Sequence, residues 1–316
     1  VTALTKRRRA ELAGQAMKYV AELLLIEPLS PAFDHKLEAV EGIGRHEIAQ
    51  LTARTAGSLA HVAPPPLDGM GRAIAGLRSL AASLEPLRQG NLAEGTRRWG
   101  LRSAKPDPTA YFGRYRTAQG EIEAALSALA RERDGLLRAN VGIEAEQAAL
   151  SPLLTALEEH AVFTEELALT LVARADQIAP REPMRARRLT ADALSVAQGR
   201  ARDIAEARAL AMQGVMLRSI LRDTNATLIE GINQAIATMV MVLKTAIDAA
   251  RLMAQQELVL DGIASLRQAT SNLIEDGPLS PTSGDRAEAL QAAFARLYDA
   301  LDRLESERVA SASRLA

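Results

Sequence analysis

Cysteine is absent from this 316-residue sequence, which removes disulfides, thiolate metal sites, iron–sulfur clusters and thiol redox chemistry from the chemistry open to it. Aromatic residues are scarce at 3%, and Ala, Leu, Arg and Glu dominate, which is the composition of long helices rather than sheets. Net charge is also missing, because 38 Lys and Arg balance 39 Asp and Glu to leave −1. With no global field to hold phosphates, no nucleic-acid partner is expected, and any anion site must be local. Phosphate loops, nucleophile elbows and paired Glu-x-x-His motifs are lacking, and "GIG" at 42–44 has neither the third glycine nor the preceding strand of a dinucleotide fold, so it reads as a helix break. His35, His46, His61 and His160 show no ligand spacing and read as surface or partly satisfied polar residues. The expectation is no catalytic residue, no cofactor and no metal: a protein that is not an enzyme.

What is present is helical periodicity. Breakers at 27–31, 61–69, 103–108, 179–183 and 276–284 punctuate the chain. Helices before residue 105 are short and glycine-punctuated, and those after it are long. Two domains are therefore expected: 1–105, of shorter helices and loops, and 106–316, a long-helix bundle. From Ile122 the apolar residues form a heptad seam. One row is Ile122, Leu129, Leu136, Ile143, Leu150 and Leu157, and the other, Leu126, Arg133, Asn140, Gln147, Leu154 and Ala161, turns polar in its middle. Pro152 is expected to kink this helix rather than end it. A second helical run starts after Pro183, its core row including Leu217, Leu221, Leu228, Ile232, Ala235, Met239, Val242 and Ala246. The last helix shows Leu290, Phe294, Leu297, Leu301 and Leu304 on one face. The fold class expected is all-α, an elongated antiparallel bundle of coiled-coil-like helices.

The most apolar stretch, "GINQAIATMVMVLKTAI" at 231–247, is bracketed by Glu230 and Lys244. A membrane span needs about 20 apolar residues, so the stretch reads as the interior of a bundle helix and no transmembrane segment is expected. Three arginine clusters could each hold an anion by bidentate hydrogen bonds: Arg7, Arg8 and Arg9; Arg97, Arg98 and Arg102 beside Trp99; and Arg185, Arg187 and Arg188. The ordinary alternative is solvated helix surface. The middle cluster gathers Tyr111 and Tyr115 beside it, so Arg97, Arg98, Trp99, Arg102, Tyr111 and Tyr115 form a candidate anion or partner contact. Asn225, Gln234, Thr238, Thr270 and Asn272 form a candidate buried polar layer, with solvent-facing side chains as the alternative.

"YFGRYRTAQGEIEAAL", "LLRANVGIEAEQAAL" and the long block from "TLIEGINQAIATM" to "TSNLIE" resemble the TelA, or toxic anion resistance, family of bacterial proteins. The likeness runs from about residue 43 onward. It is carried by Tyr115, Ala118, Gln119 and Ile122, by Asn225, Leu228, Ile229 and Gly231, by Gln256, Val259 and Leu260, and by 270–274. Family members typically carry a threonine run after Gly231 and a doubled asparagine before it; here Thr238 alone remains of the run, and Thr224 replaces the first asparagine. The resemblance implies a cytoplasmic, helical protein linked to tellurite resistance and envelope stress response, with no catalytic reaction and an XpaC-type protein as the expected partner. Three readings follow: a non-catalytic interaction or scaffold protein, an oxyanion-sequestering protein using the arginine clusters, or a peripheral membrane-stress protein contacting lipid through residues 12–26 and Arg7 to Arg9. Reduction of the oxyanion would need an electron source that a chain without Cys or a cofactor motif does not readily supply. The oligomeric state is not legible in the sequence.

Overall fold

The computed structural model describes residues 4–59, 68–85, 108–253 and 286–315. Of these, 94% are helical and none is in a strand. The elements are α1 (Lys6–Leu24), α2 (Pro31–Gly42), α3 (Arg45–Leu59), α4 (Asp68–Leu84), α5 (Pro108–Ile178), α6 (Pro183–Arg188), a π-helical turn (Leu189–Ala193), α7 (Leu194–Met253) and α8 (Arg286–Leu315).

Local chemistry sets the boundaries. The Thr5 side chain caps α1 by accepting from the Arg8 amide at 3.2 Å. Ser30 caps α2, with Pro31 in the first helical position, where its missing N–H costs nothing. The glycine pair ends α2: Gly44 sits at φ 68°, a left-handed conformation that a Cβ disfavours. The Leu157 side chain and the His160 ring lie within 3.4 Å of where that Cβ would stand. The "GIG" stretch is thus the α2–α3 turn. α5 passes through Pro152 without interruption over 71 residues, and the π turn joins α6 to α7 without a break.

Packing divides the chain into two units, 1–63 with 141–221 and 64–140 with 222–316. This division differs from the boundary expected at 105/106, because α5 and α7 each contribute to both units. The N-terminal helices α1 to α3 have no core of their own and pack on the later halves of α5 and the earlier part of α7. In unit 1, α5 and α7 run antiparallel: Glu146 pairs with Arg218 at 3.3 Å, and Glu158 pairs with Arg208. One core of this unit joins Ala16, Val20, Leu23 and Phe33 to Leu167, Leu171 and Leu189. A second joins Leu51 to Leu150, Leu154, Leu157 and Ile204.

Unit 2 has one core shared by α4, α5, α7 and α8, with Met70, Leu77, Leu129, Ile232, Met239, Phe294 and Leu301 all fully buried. The stretch 231–247 lies here. By length and composition the run Pro183–Ala249 contains a window apolar enough to cross a membrane, a more permissive result than counting the uncharged residues between Glu230 and Lys244. Within that run, Ile232, Ala235, Met239, Val242 and Leu243 are covered by the other helices of the bundle.

Candidate interaction site

The arginine clusters were the first candidates, and in two of them the guanidinium groups are already engaged. Arg8 makes a bidentate pair with Glu159, at 2.9 Å from Nε and 2.8 Å from Nη2, and this hydrogen bonding holds the Glu159 carboxyl below the usual carboxylate range. Arg7 pairs with Glu11 at 3.1 Å. Arg9 reaches Glu158 at 3.8 Å, a carboxylate that Arg208 also engages. In the third cluster, Arg188 donates to the Pro28 carbonyl at 3.0 Å and to Asp34 at 2.7 Å, engages Asp192, and stacks over the Phe33 ring. Arg185 donates to the Leu24 carbonyl and pairs with Glu182 at 3.1 Å. Arg187 stands exposed. An oxyanion arriving at Arg8 or Arg188 would have to displace carboxylates, Glu159 and Asp34, that join one helix to another.

The middle cluster, Arg97, Arg98, Trp99 and Arg102, lies outside the described residues, as does the side chain of Tyr111. Tyr115 does not present a contact surface: it is 1% exposed and part of the unit 2 core. It stands seven residues before Ile122, so it continues the heptad row backward by one step, and burial follows from that phase.

The polar layer also divides. Asn225 is buried, and its side-chain amide donates to Asn140 Oδ1 at 2.9 Å, so its partner is the polar seam position of α5. Gln234 is exposed, and Thr238 turns its hydroxyl back to the Gln234 carbonyl at 2.6 Å. Thr270 and Asn272 lie outside the described residues. Among the described residues the layer is therefore one cross-helix Asn pair and a separate intrahelical bond.

Gly231 has a packing role. A Cβ at this position would stand 2.7 Å from Glu307 Oε2 and 3.0 Å from Leu304 Cδ1, so its absence leaves room for α8 beside α7. Glu307 Oε2 is buried there without a hydrogen-bond partner. Burial first, and Glu230 second, push the Glu307 carboxyl above its ordinary range. A raised carboxylate pKa means that the ionised form is penalised in the folded state, a penalty present above the raised value and absent once both states are protonated. Glu307→Gln is therefore expected to raise the urea midpoint at pH 7.5, with the difference from the parent closing below about pH 4. An unchanged midpoint at pH 7.5 would count against an unpaired buried carboxylate.

A surface not anticipated from the seam lies on α7 in unit 1. Nine residues, 209–217, carry no charge. Leu210, Met212, Met216, Leu217 and Ile220 project there, with Leu210 and Met216 more than 60% exposed. Leu217 was expected in the core row and is instead 44% exposed; Arg218 and Leu221 take the buried positions beside it. The sequence signal was an excess of large apolar residues over what one helical face can bury. Beside this face a groove of about 690 Å³ opens between α3 and α7, lined by Ile48, Leu51, Leu210 and Leu217 with Asp203 and Glu206 at its rim. Arg200 lines it too, its side chain 10% exposed. This side chain donates from Nε to the Ile43 carbonyl at 2.5 Å and from Nη1 to Asp203 at 3.3 Å, while Nη2 is buried without a partner.

Fold and site together define an all-α protein of two bundled units whose described arginine clusters are largely neutralised from within, and whose α7 carries an exposed apolar face. The chain belongs to the toxic anion resistance protein (TelA) family, whose profile matches residues 30–277. Membership associates it with resistance to toxic anions such as tellurite. No curated protein and no solved structure matches it.

Proposed function

We propose that this chain serves toxic anion resistance and the envelope stress response as a non-catalytic interaction protein, and that the α3–α7 groove of unit 1 receives an amphipathic helix of a partner protein. The observation that carries this reading is the exposed uncharged face of α7 beside the groove. Leucine and methionine at helical spacing form an adaptable apolar surface of the kind that accepts a partner helix by its i, i+3/i+4 and i+7 residues. The rim supplies direction: Asp203 and Glu206 favour a partner with basic residues flanking its apolar stripe. The spare Nη2 donor of Arg200 suits a carbonyl or carboxylate brought in by that helix.

The oxyanion-sequestering reading is less well supported, because five of the six arginines of two clusters already hold carboxylates. The test is crosslinking in the native cells, with and without tellurite, using the parent chain and Leu210→Glu/Leu217→Glu. A charge introduced at each of two centrally buried contact positions is expected to weaken capture of a specific partner by about a hundredfold. Helical content should be unchanged, since both side chains already face solvent. Capture of the same partner by the double variant at parent level would overturn the assignment.

A further inference from the structure

The last turns of α8 have little apolar anchorage. Leu304 is the final residue of α8 in the unit 2 core. Beyond it Val309 is half exposed, and buried Ser311 turns its hydroxyl back to the Glu307 carbonyl at 2.7 Å instead of reaching another helix. What faces α7 here is a carboxylate: Glu307 Oε2 is shut off from water without a hydrogen-bond partner, on the bare Cα of Gly231. We propose that this seat is a proton-operated latch. With Glu307 neutral, residues 305–313 of α8 close on Gly231; with Glu307 ionised they open, while the core around Phe294 stays formed.

The latch needs a segment that opens at small cost and a group whose charge decides whether it does. A helix end held by few buried apolar side chains supplies the first. The second is the sealed oxygen of Glu307, which costs little when the carboxyl is neutral and much more when it is ionised. The neighbouring charges do not relieve that cost. Burial acts first on Glu307, Glu230 of α7 adds repulsion, and Arg303 of α8 opposes both. Arg303 is itself drawn to Asp299 at 2.9 Å. Arg308, which lies beside Gly71 of α4, is claimed by two hydrogen bonds from its guanidinium to Glu305, at 2.9 and 2.7 Å, and answers Asp68 of α4. Among the described residues no charge from α4 or α5 enters the balance on Glu307.

The sign follows from the direction of the shift. The closed seat holds the carboxyl above its ordinary range, so closing takes up a proton. Closure therefore strengthens as pH falls through the raised value and is complete below the ordinary carboxylate range. The device belongs to unit 2 alone and does not depend on the partner groove.

The experiment is amide hydrogen exchange of the full chain, read by mass spectrometry from about pH 7.5 to about pH 4.5 and corrected for intrinsic exchange. Peptides covering 305–313 are expected to gain protection severalfold as the pH falls, with no matching change around Phe294. Glu307→Gln should be protected throughout, with a flat profile. Glu230→Gln, which removes the repulsion that raises Glu307, should keep the response and move it to lower pH. Protection independent of pH in the parent, a pH response that survives Glu307→Gln with circular dichroism unchanged, or a change spread equally along the whole of α8 would each overturn the latch.

Discussion

Phe294→Ala is expected to destabilise unit 2 by about 3–5 kcal/mol, read as a fall in the urea midpoint followed by circular dichroism. Phe294 is fully buried in α8, in a cluster to which α4, α5, α7 and α8 all contribute. Its removal takes away both the transfer free energy of the ring and the contacts of every helix around it, and four helices held by other side chains cannot all move inward to close the space. Phe294→Leu should cost far less, because most of the volume is restored. A loss below about 1 kcal/mol for the alanine variant would mean that α8 is not the fourth wall of this core. The polar contacts of α8 do not substitute for the ring: Tyr298 donates to Glu85 at 3.2 Å and Arg78 pairs with Asp302, an exposed pair in which neither side chain is desolvated.

The reason α8 and α4 meet is also where the sequence ceased to be informative. A heptad row states which side of a helix is covered, and all six residues of the row from Ile122 to Leu157 are indeed buried. It does not state what covers them. The same unbroken period passes along α5 from Asn140 to Val141, where the packing changes from unit 2 to unit 1, and nothing in the spacing marks that change. The first hundred residues contain helices of ordinary length and strong punctuation, so they read as a domain; the apolar faces of α1 to α3 are completed by segments a hundred or more residues away, Val20 sharing a cluster with Leu171 and Leu51 with Leu154.

The candidate site shows the same limit on charge. Arg8 and Arg188 look, in sequence, like members of basic clusters that could receive a ligand. Their carboxylate partners Glu159 and Asp34 lie 151 and 154 residues away, and composition alone cannot pair them. Asn140 was legible as a polar break in an apolar row, and it does fix a cross-helix contact, but its partner Asn225 comes from α7. Tyr115 follows from the heptad phase extended backward by one step, a signal independent of the arginines near it in sequence.

Introducing threonine into the apolar stretch, by Met239→Thr with Val240→Thr, should cost about 3–4 kcal/mol without raising tellurite resistance. Met239 is fully buried and Val240 is 1% exposed. The hydroxyls themselves are not the main penalty. Thr238 and Thr245 of the same helix already donate to the carbonyls four residues back, at 2.6 and 2.9 Å, and new threonines at 239 and 240 could bond in the same way. What is lost is the apolar volume of Met239 at the centre of a four-helix core, and the apolar surface that Val240 shares with its neighbours. Because the two sites are adjacent, their effects should not add fully. Two readouts are needed, the urea midpoint of the purified chain and the tellurite concentration tolerated by cells carrying it. A lower midpoint with unchanged or reduced tolerance assigns 231–247 to packing. A rise in tolerance despite the lower midpoint would show that hydroxyls in this stretch act directly in resistance.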